Sequence, residues 1–138
     1  MVHDAVRISL DPDRVAAFNI SSAFRVGDLV FVSGQVGVND QGEIIGRDDF
    51  GTQARQAFDN LRRVLEAAGS SLDQVVKVTI LVTDMDHFAE VVELRAEFFT
   101  APYPADTVCE VSALAYPGLM FEIEAVAMVE GRTVAVGT

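Results

Sequence analysis

The stretch from Leu119 to Val129 constrains the fold of this chain more than any other. Leu119, Phe121, Ile123, Ala125 and Ala127 alternate there with Met120, Glu122, Glu124, Val126 and Met128. A period of two is the signature of a β-strand, because successive side chains point to opposite faces. The first set is wholly apolar and belongs inside the fold. The second set mixes two acids with Met120, Val126 and Met128. A half-apolar open sheet face usually needs cover. An oligomer in which sheets pack together is the simplest cover.

The other segments say what lies on the apolar face. Val6 to Leu10 alternates and reads as a strand. Phe24-Arg25-Val26 and Leu29 to Ser33 flank Gly27-Asp28, a hairpin turn. Asn39-Asp40-Gln41-Gly42 is a second turn. Gly51 to Ala68 carries Ala54, Ala57, Phe58, Leu61, Val64, Leu65 and Ala68 at spacings of three and four, the stripe of an amphipathic helix. Asp48 and Asp49 suit its N-terminus, and Gly69 suits its left-handed stop. Val75 to Val82 is β-branched and mostly apolar, a buried central strand. Asp84 or Asp86 caps a second helix from about His87 to Thr100, which Pro102 and Pro104 end. Thr107 to Leu114 is a further strand. The order predicts an α+β fold, a sheet with both helices on one face.

A chain of 138 residues, half of them apolar, is enough for one core and too short for two. The expectation is a single domain over 1–138, with 131–138 as a frayed tail. The net charge is −11. Such a surface repels polyphosphate at long range, so no nucleic-acid partner is expected. No apolar run approaches the roughly 20 residues of a membrane span. Met1-Val2-His3-Asp4 does not read as a secretory signal. The lone Cys109 fits a reducing compartment, and a cytoplasmic location is expected.

Motifs of the usual kinds are missing. Gly27, Gly34 and Gly37 fit no phosphate-binding spacing. His3 and His87 do not make a metal signature, and none is expected. His87 reads as a solvated cap residue, and Cys109, alternating with Val108 and Glu110, as inert core. Glu122 and Glu124 share a strand face about 7 Å apart. They are either two solvated acids or, if a partner buries them, an acid–base pair. Arg95 is seven residues after Phe88 and falls on the stripe of Phe88, Val91, Val92, Phe98 and Phe99. It either snorkels at an edge or is a cation held near a pocket, able to grip a carboxylate.

Several segments together resemble the Rid (YjgF, reactive intermediate deaminase) family. They are Arg25 to Gln35, reading RVGDLVFVSGQ; Gln53 to Leu65 with Ala67 to Asp73; Val75-Val76-Lys77-Val78-Thr79; Thr83-Asp84-Met85-Asp86 with Phe88-Ala89; Phe98-Phe99; and Glu122 to Ala127. The resemblance covers nearly the whole chain in the right order. It implies a chorismate-mutase-like (YjgF-like) sheet of about six strands with two helices on one face. It implies a homotrimer with small-molecule pockets in the clefts between subunits. It also implies hydrolysis of reactive imines and enamines, such as 2-aminoacrylate, to 2-keto acids and ammonia, with no cofactor.

Carried over by position, the resemblance gives the family's water-directing glutamate as Glu122 and its pocket Ser-Gly as Ser33 and Gly34. The family's carboxylate-binding arginine belongs in Pro104 to Val108, where Asp106 takes its place, with Thr107 and Val108 beside it. Ile20, in Phe18-Asn19-Ile20, stands where a pocket tyrosine is expected, and Val92 where an asparagine is. Arg95, one helical turn after Val92, is the nearby residue able to compensate. An aspartate facing a substrate carboxylate repels it, so Asp106 and Glu122 together point to altered substrate, neutral or cationic, or to one carboxylate of raised pKa. The alternatives are a non-catalytic small-molecule-binding or regulatory trimer and, disfavoured by the acidic surface, an endoribonuclease.

Overall fold

The computed structural model describes residues 3–137. Met1-Val2 and Thr138, which bear on the signal and tail readings, lie outside the described residues. Strand β1 spans Ala5–Ile8, β2 Ala23–Val26 and β3 Leu29–Val36. Helix α1 spans Phe50–Ala67, β4 Val75–Val82, α2 Phe88–Phe98, β5 Ala105–Glu110 and β6 Phe121–Met128. The strands form one six-stranded sheet in the order β1-β2-β3-β6-β4-β5. Every pairing is antiparallel except β4 with β5, which α2 connects in parallel. The expected α+β sheet with its two helices is the observed one.

The alternation in β6 does the sorting. Phe121, Ile123, Ala125 and Ala127 are buried, while Glu122, Val126 and Met128 are only partly covered. Val78, Ile80 and Val82 of β4 and Val30 and Val32 of β3 join the buried set, under Ala54, Ala57, Phe58, Leu61 and Leu65 of α1. Phe58 anchors this core. Its ring stacks on Phe98 with centroids 4.4 Å apart and meets Phe99 edge-on.

The caps follow the sequence. The Asp49 side chain accepts from the Thr52 N–H, and Gly69 takes φ +83° after α1. Asp84 accepts from the Asp86 N–H and starts a short 3-10 turn before α2.

Three expectations need correction. Strand β5 runs Ala105–Glu110 rather than Thr107 to Leu114, because β4 ends at Val82 and leaves nothing to pair beyond the Val111 N–H bond to the Val82 carbonyl. Helix α2 buries only Val91 and Leu94, with Phe99 just past its end, while Phe88 and Val92 are exposed. It covers the β4–β5 side of a core that α1 dominates, so its apolar stripe is narrower than the sequence suggests. Cys109 is exposed, not core.

A buried glutamine locks the end of β6. Gln53 is fully buried on α1. Its Nε2 donates to the carbonyls of Gly46 and Gly118, and its Oε1 accepts from the Met120 N–H. Asn60, two turns on, donates to the carbonyls of Val36 and Val38. A Gln53→Leu variant takes the Gln53 partner from the Gly118 carbonyl and the Met120 N–H, while the Gly46 carbonyl keeps the Asp49 N–H. It is expected to lose about 2–4 kcal/mol of stability, read as a lower urea midpoint.

Candidate functional site

Two clusters of chemistry-bearing side chains emerge, and one protomer holds them on opposite faces of the sheet. The first is on the open face, around Glu122. The register of β3 against β6 slips between Val32 and Gln35, so Ser33 and Gly34 form a β-bulge. The bulge is pinned from outside. The Ser33 N–H donates to the Ser22 carbonyl, and its hydroxyl donates to the Ser21 carbonyl at 2.6 Å. The Gln35 amide donates to the Ser33 carbonyl. Ile20 is half exposed just upstream of these contacts.

Glu122 fills the space the bulge makes. A Cβ added at Gly34 would meet the Glu122 Cδ and Oε1 at 2.8 Å. A side chain at position 34 would push the Glu122 carboxyl group aside, because that group lies against the glycine's backbone. Partial burial raises the Glu122 pKa above the usual carboxylate range, and the neighbouring Glu124 adds to the rise. Across the sheet Glu122 pairs with Leu81, and Leu81 with Cys109. At two strand spacings Cys109 is roughly 10 Å away and out of contact. Thr107 occupies the next such row, with Thr79 and Glu124.

The second cluster lies on the helix side, at the β5 edge. Arg95 Nε and Nη2 each approach one oxygen of Asp106 at 2.8 Å, a bidentate ion pair. The two side chains are 24% and 14% exposed, so the pair is largely withdrawn from water. The guanidinium carbon also lies 5.7 Å from the centre of the Phe88 ring. Val92, Ala96, Phe99, Tyr103 and Pro104 join the pair around an open cleft of about 350 Å³.

The expected site residues therefore divide. Ser33, Gly34 and Glu122 meet at the bulge. Val92, Arg95 and Asp106 meet at the cleft. Val108 faces the helices beside Ile80, while Thr107 faces the open side. Asp106 does not stand beside Glu122, since it pairs in register with Val78, which points into the core. Nor is it a free negative charge, because Arg95 neutralises it. His87 is not simply solvated: its ring stacks on Phe50 at 4.0 Å and its Nδ1 lies 2.8 Å from Glu90. Among the described residues, no three His, Cys, Asp or Glu side chains gather to hold a metal ion. None of the helices among them is long and apolar enough to cross a membrane.

Sequence reasoning missed the bulge and the cleft wall at Phe99, Tyr103 and Pro104. A Ser-Gly pair inside a strand was the available signal for the first. An aromatic between Pro102 and Pro104 was the signal for the second.

The family model described as Endoribonuclease L-PSP matches residues 11–129. The chain belongs to this family, known also as the Rid or YjgF family. A RutC family protein from Pyrococcus horikoshii is 40% identical over 111 residues, which are 80% of this chain and 86% of that one. The 2-iminobutanoate/2-iminopropanoate deaminase of Escherichia coli is 38% identical over 107 residues, 75% of this chain and 81% of the enzyme. The crystal structure of RidA from the Antarctic bacterium Psychrobacter sp. PAMC 21119 superposes with a TM-score of 0.81 at 36% identity, covering 88% of this chain and 98% of that one. The Rid sheet and its two helices are thus shared.

The raised Glu122 pKa makes stability depend on pH. Above the ordinary glutamate pKa of about 4.3 the unfolded chain is ionised while the folded protein still holds a proton. Stability attached to this group is then present at low pH and is lost as pH rises through the folded value. A Glu122→Gln variant should melt higher than the wild type at pH 7, and the difference should vanish at about pH 3.5 in a thermal melt.

Proposed function

We propose that this Rid-family chain forms a trimer and binds a small molecule between subunits, where it hydrolyses an imine or enamine. The single observation that carries this reading is Glu122, half-buried, raised in pKa and laid against the Gly34 bulge. A carboxyl group whose pKa is raised keeps its proton more readily than a solvated one and can pass it on. In imine hydrolysis, water adds to the C=N carbon and a proton passes to nitrogen. The resulting carbinolamine then collapses to a carbonyl and ammonia. Glu122 would direct the water and relay the proton, with no cofactor required. The deaminase name carried by an Escherichia coli relative supports the reaction class.

Two features support the trimer. Phe24, Val26, Leu29 and Phe31 are all exposed on the open sheet face. In register, Phe24 lies beside Phe31 and then Val126, and Val26 beside Leu29 and then Met128, a continuous apolar patch. The Glu122 and Arg95 clusters also lie on opposite faces of one protomer, so a second subunit is the way to bring them to one ligand. On this reading Phe31→Asp yields a monomer in sedimentation velocity. An unchanged trimer would exclude the patch as its interface.

The substrate differs from that of the family's deaminases, because Asp106 stands in the carboxylate-binding arginine's place and Arg95 is engaged with it. An Arg–carboxylate contact is worth a few kcal/mol, and each 1.4 kcal/mol is tenfold in binding. Ammonia release from freshly generated 2-aminoacrylate should be roughly a hundredfold or more slower than with the Escherichia coli deaminase assayed alongside. Glu122→Gln should remove what remains. Turnover equal to that enzyme's overturns the altered-substrate reading. The net charge of −11 weighs against ribonuclease activity.

A further inference from the structure

We infer that the cleft beside α2 recognises an uncharged amide-like group, a carboxamide, lactam or ureide, through the Arg95–Asp106 pair acting as one donor–acceptor face. This rests on the reading that the cleft is the ligand site, and it names the class of ligand.

The pair is built to be read from one side. A guanidinium carries five N–H donors. Two go to Asp106, so three remain, two on Nη1 and one on Nη2. Each Asp106 oxygen accepts a single bond from Arg95, and a carboxylate has about four acceptor positions. Donors and acceptors are therefore left over on two groups that hold each other and both line the cleft. Asp106 grips the guanidinium along one edge and Phe88 lies near it. A planar amide presents the complement, a carbonyl oxygen for Arg95 and an N–H for Asp106.

Charge decides against the other candidates. A ligand carboxylate near Arg95 also feels Asp106, whose opposite charge cancels most of the attraction. Binding it would also gather two carboxylates around one cation in a site largely withdrawn from water. A ligand cation meets the reverse problem, with Arg95 repelling what Asp106 attracts. An uncharged group incurs neither cost. The rest of the lining, Val92, Ala96, Phe99, Tyr103 and Pro104, offers an apolar wall and suits an alkyl or ring body.

The experiment compares three probes of similar size, isobutyramide, isobutyrate and isopropylammonium, titrated into the full-length protein and followed by NMR at this cleft. The wild type should bind isobutyramide at least tenfold tighter than either ion. Asp106→Asn frees the Arg95 charge and should reverse the preference towards isobutyrate. Arg95→Met should weaken isobutyramide at least tenfold. If a single variant fails to fold, the double variant Arg95→Met/Asp106→Leu, which removes both charges together, must lose the amide preference. A wild type that prefers an ion or binds none of the probes overturns the inference, as does an Asp106→Asn protein with unchanged preference. Binding is read without turnover, so a failed ammonia assay would sink the deaminase reading and leave this one standing.

Discussion

Strand β6 sits between β3 and β4, and the two-faced character of its side chains is the constraint on which the rest depends. Its four buried residues are roofed by α1, and its two neighbours carry the rest of the sheet on either side. Because the period is two, burying Phe121, Ile123, Ala125 and Ala127 obliges Glu122, Glu124, Val126 and Met128 to face the other way. Slipping the register by one residue would put two carboxylates into the core. The open face is thus a consequence of how the core is filled. Its acids and its apolar patch are two sides of that single fact.

Polar residues on α1 then set what the open face can do. Gln53 and Asn60 occupy helix positions that packing alone would give to apolar side chains. They hold the carbonyls of Gly46, Gly118, Val36 and Val38 and the N–H of Met120. These groups bracket the start of β6 and the end of β3. The carboxyl of Glu122 therefore meets the Gly34 bulge at a fixed place. A buried polar group with every partner supplied specifies geometry more sharply than an apolar one. The raised pKa of Glu122 is the chemical result, since a carboxyl held in that niche loses water that it would otherwise keep.

The Arg95–Asp106 pair changes the meaning of both residues. Taken singly, Asp106 is an acid unsuited to an anionic ligand and Arg95 is a misplaced cation on an apolar stripe. Together they are a neutral unit with directional hydrogen-bonding capacity. Parallel pairing of β4 and β5 puts Asp106 on the helix side, and α2, which links those strands, runs above it. The residues are eleven apart in sequence yet make two short bonds. Neither charge can be judged without the other.

Much of this was open to reading along the chain. Period-two alternation in β6, the stripe of α1, its Asp49 and Gly69 caps and the Gly27-Asp28 hairpin are local patterns, and local patterns follow from dihedral and burial rules that act over a few residues. They determine the α+β sheet, its buried face and the presence of Glu122 on the other. The bulge at Ser33-Gly34, the exposed positions of Phe88, Val92 and Cys109, and the joining of Arg95 to Asp106 were decided only by the tertiary structure. Each depends on which element covers which, and at what register. Burial and charge pairing are properties of the neighbours a residue meets in space, and those neighbours come from distant parts of the chain.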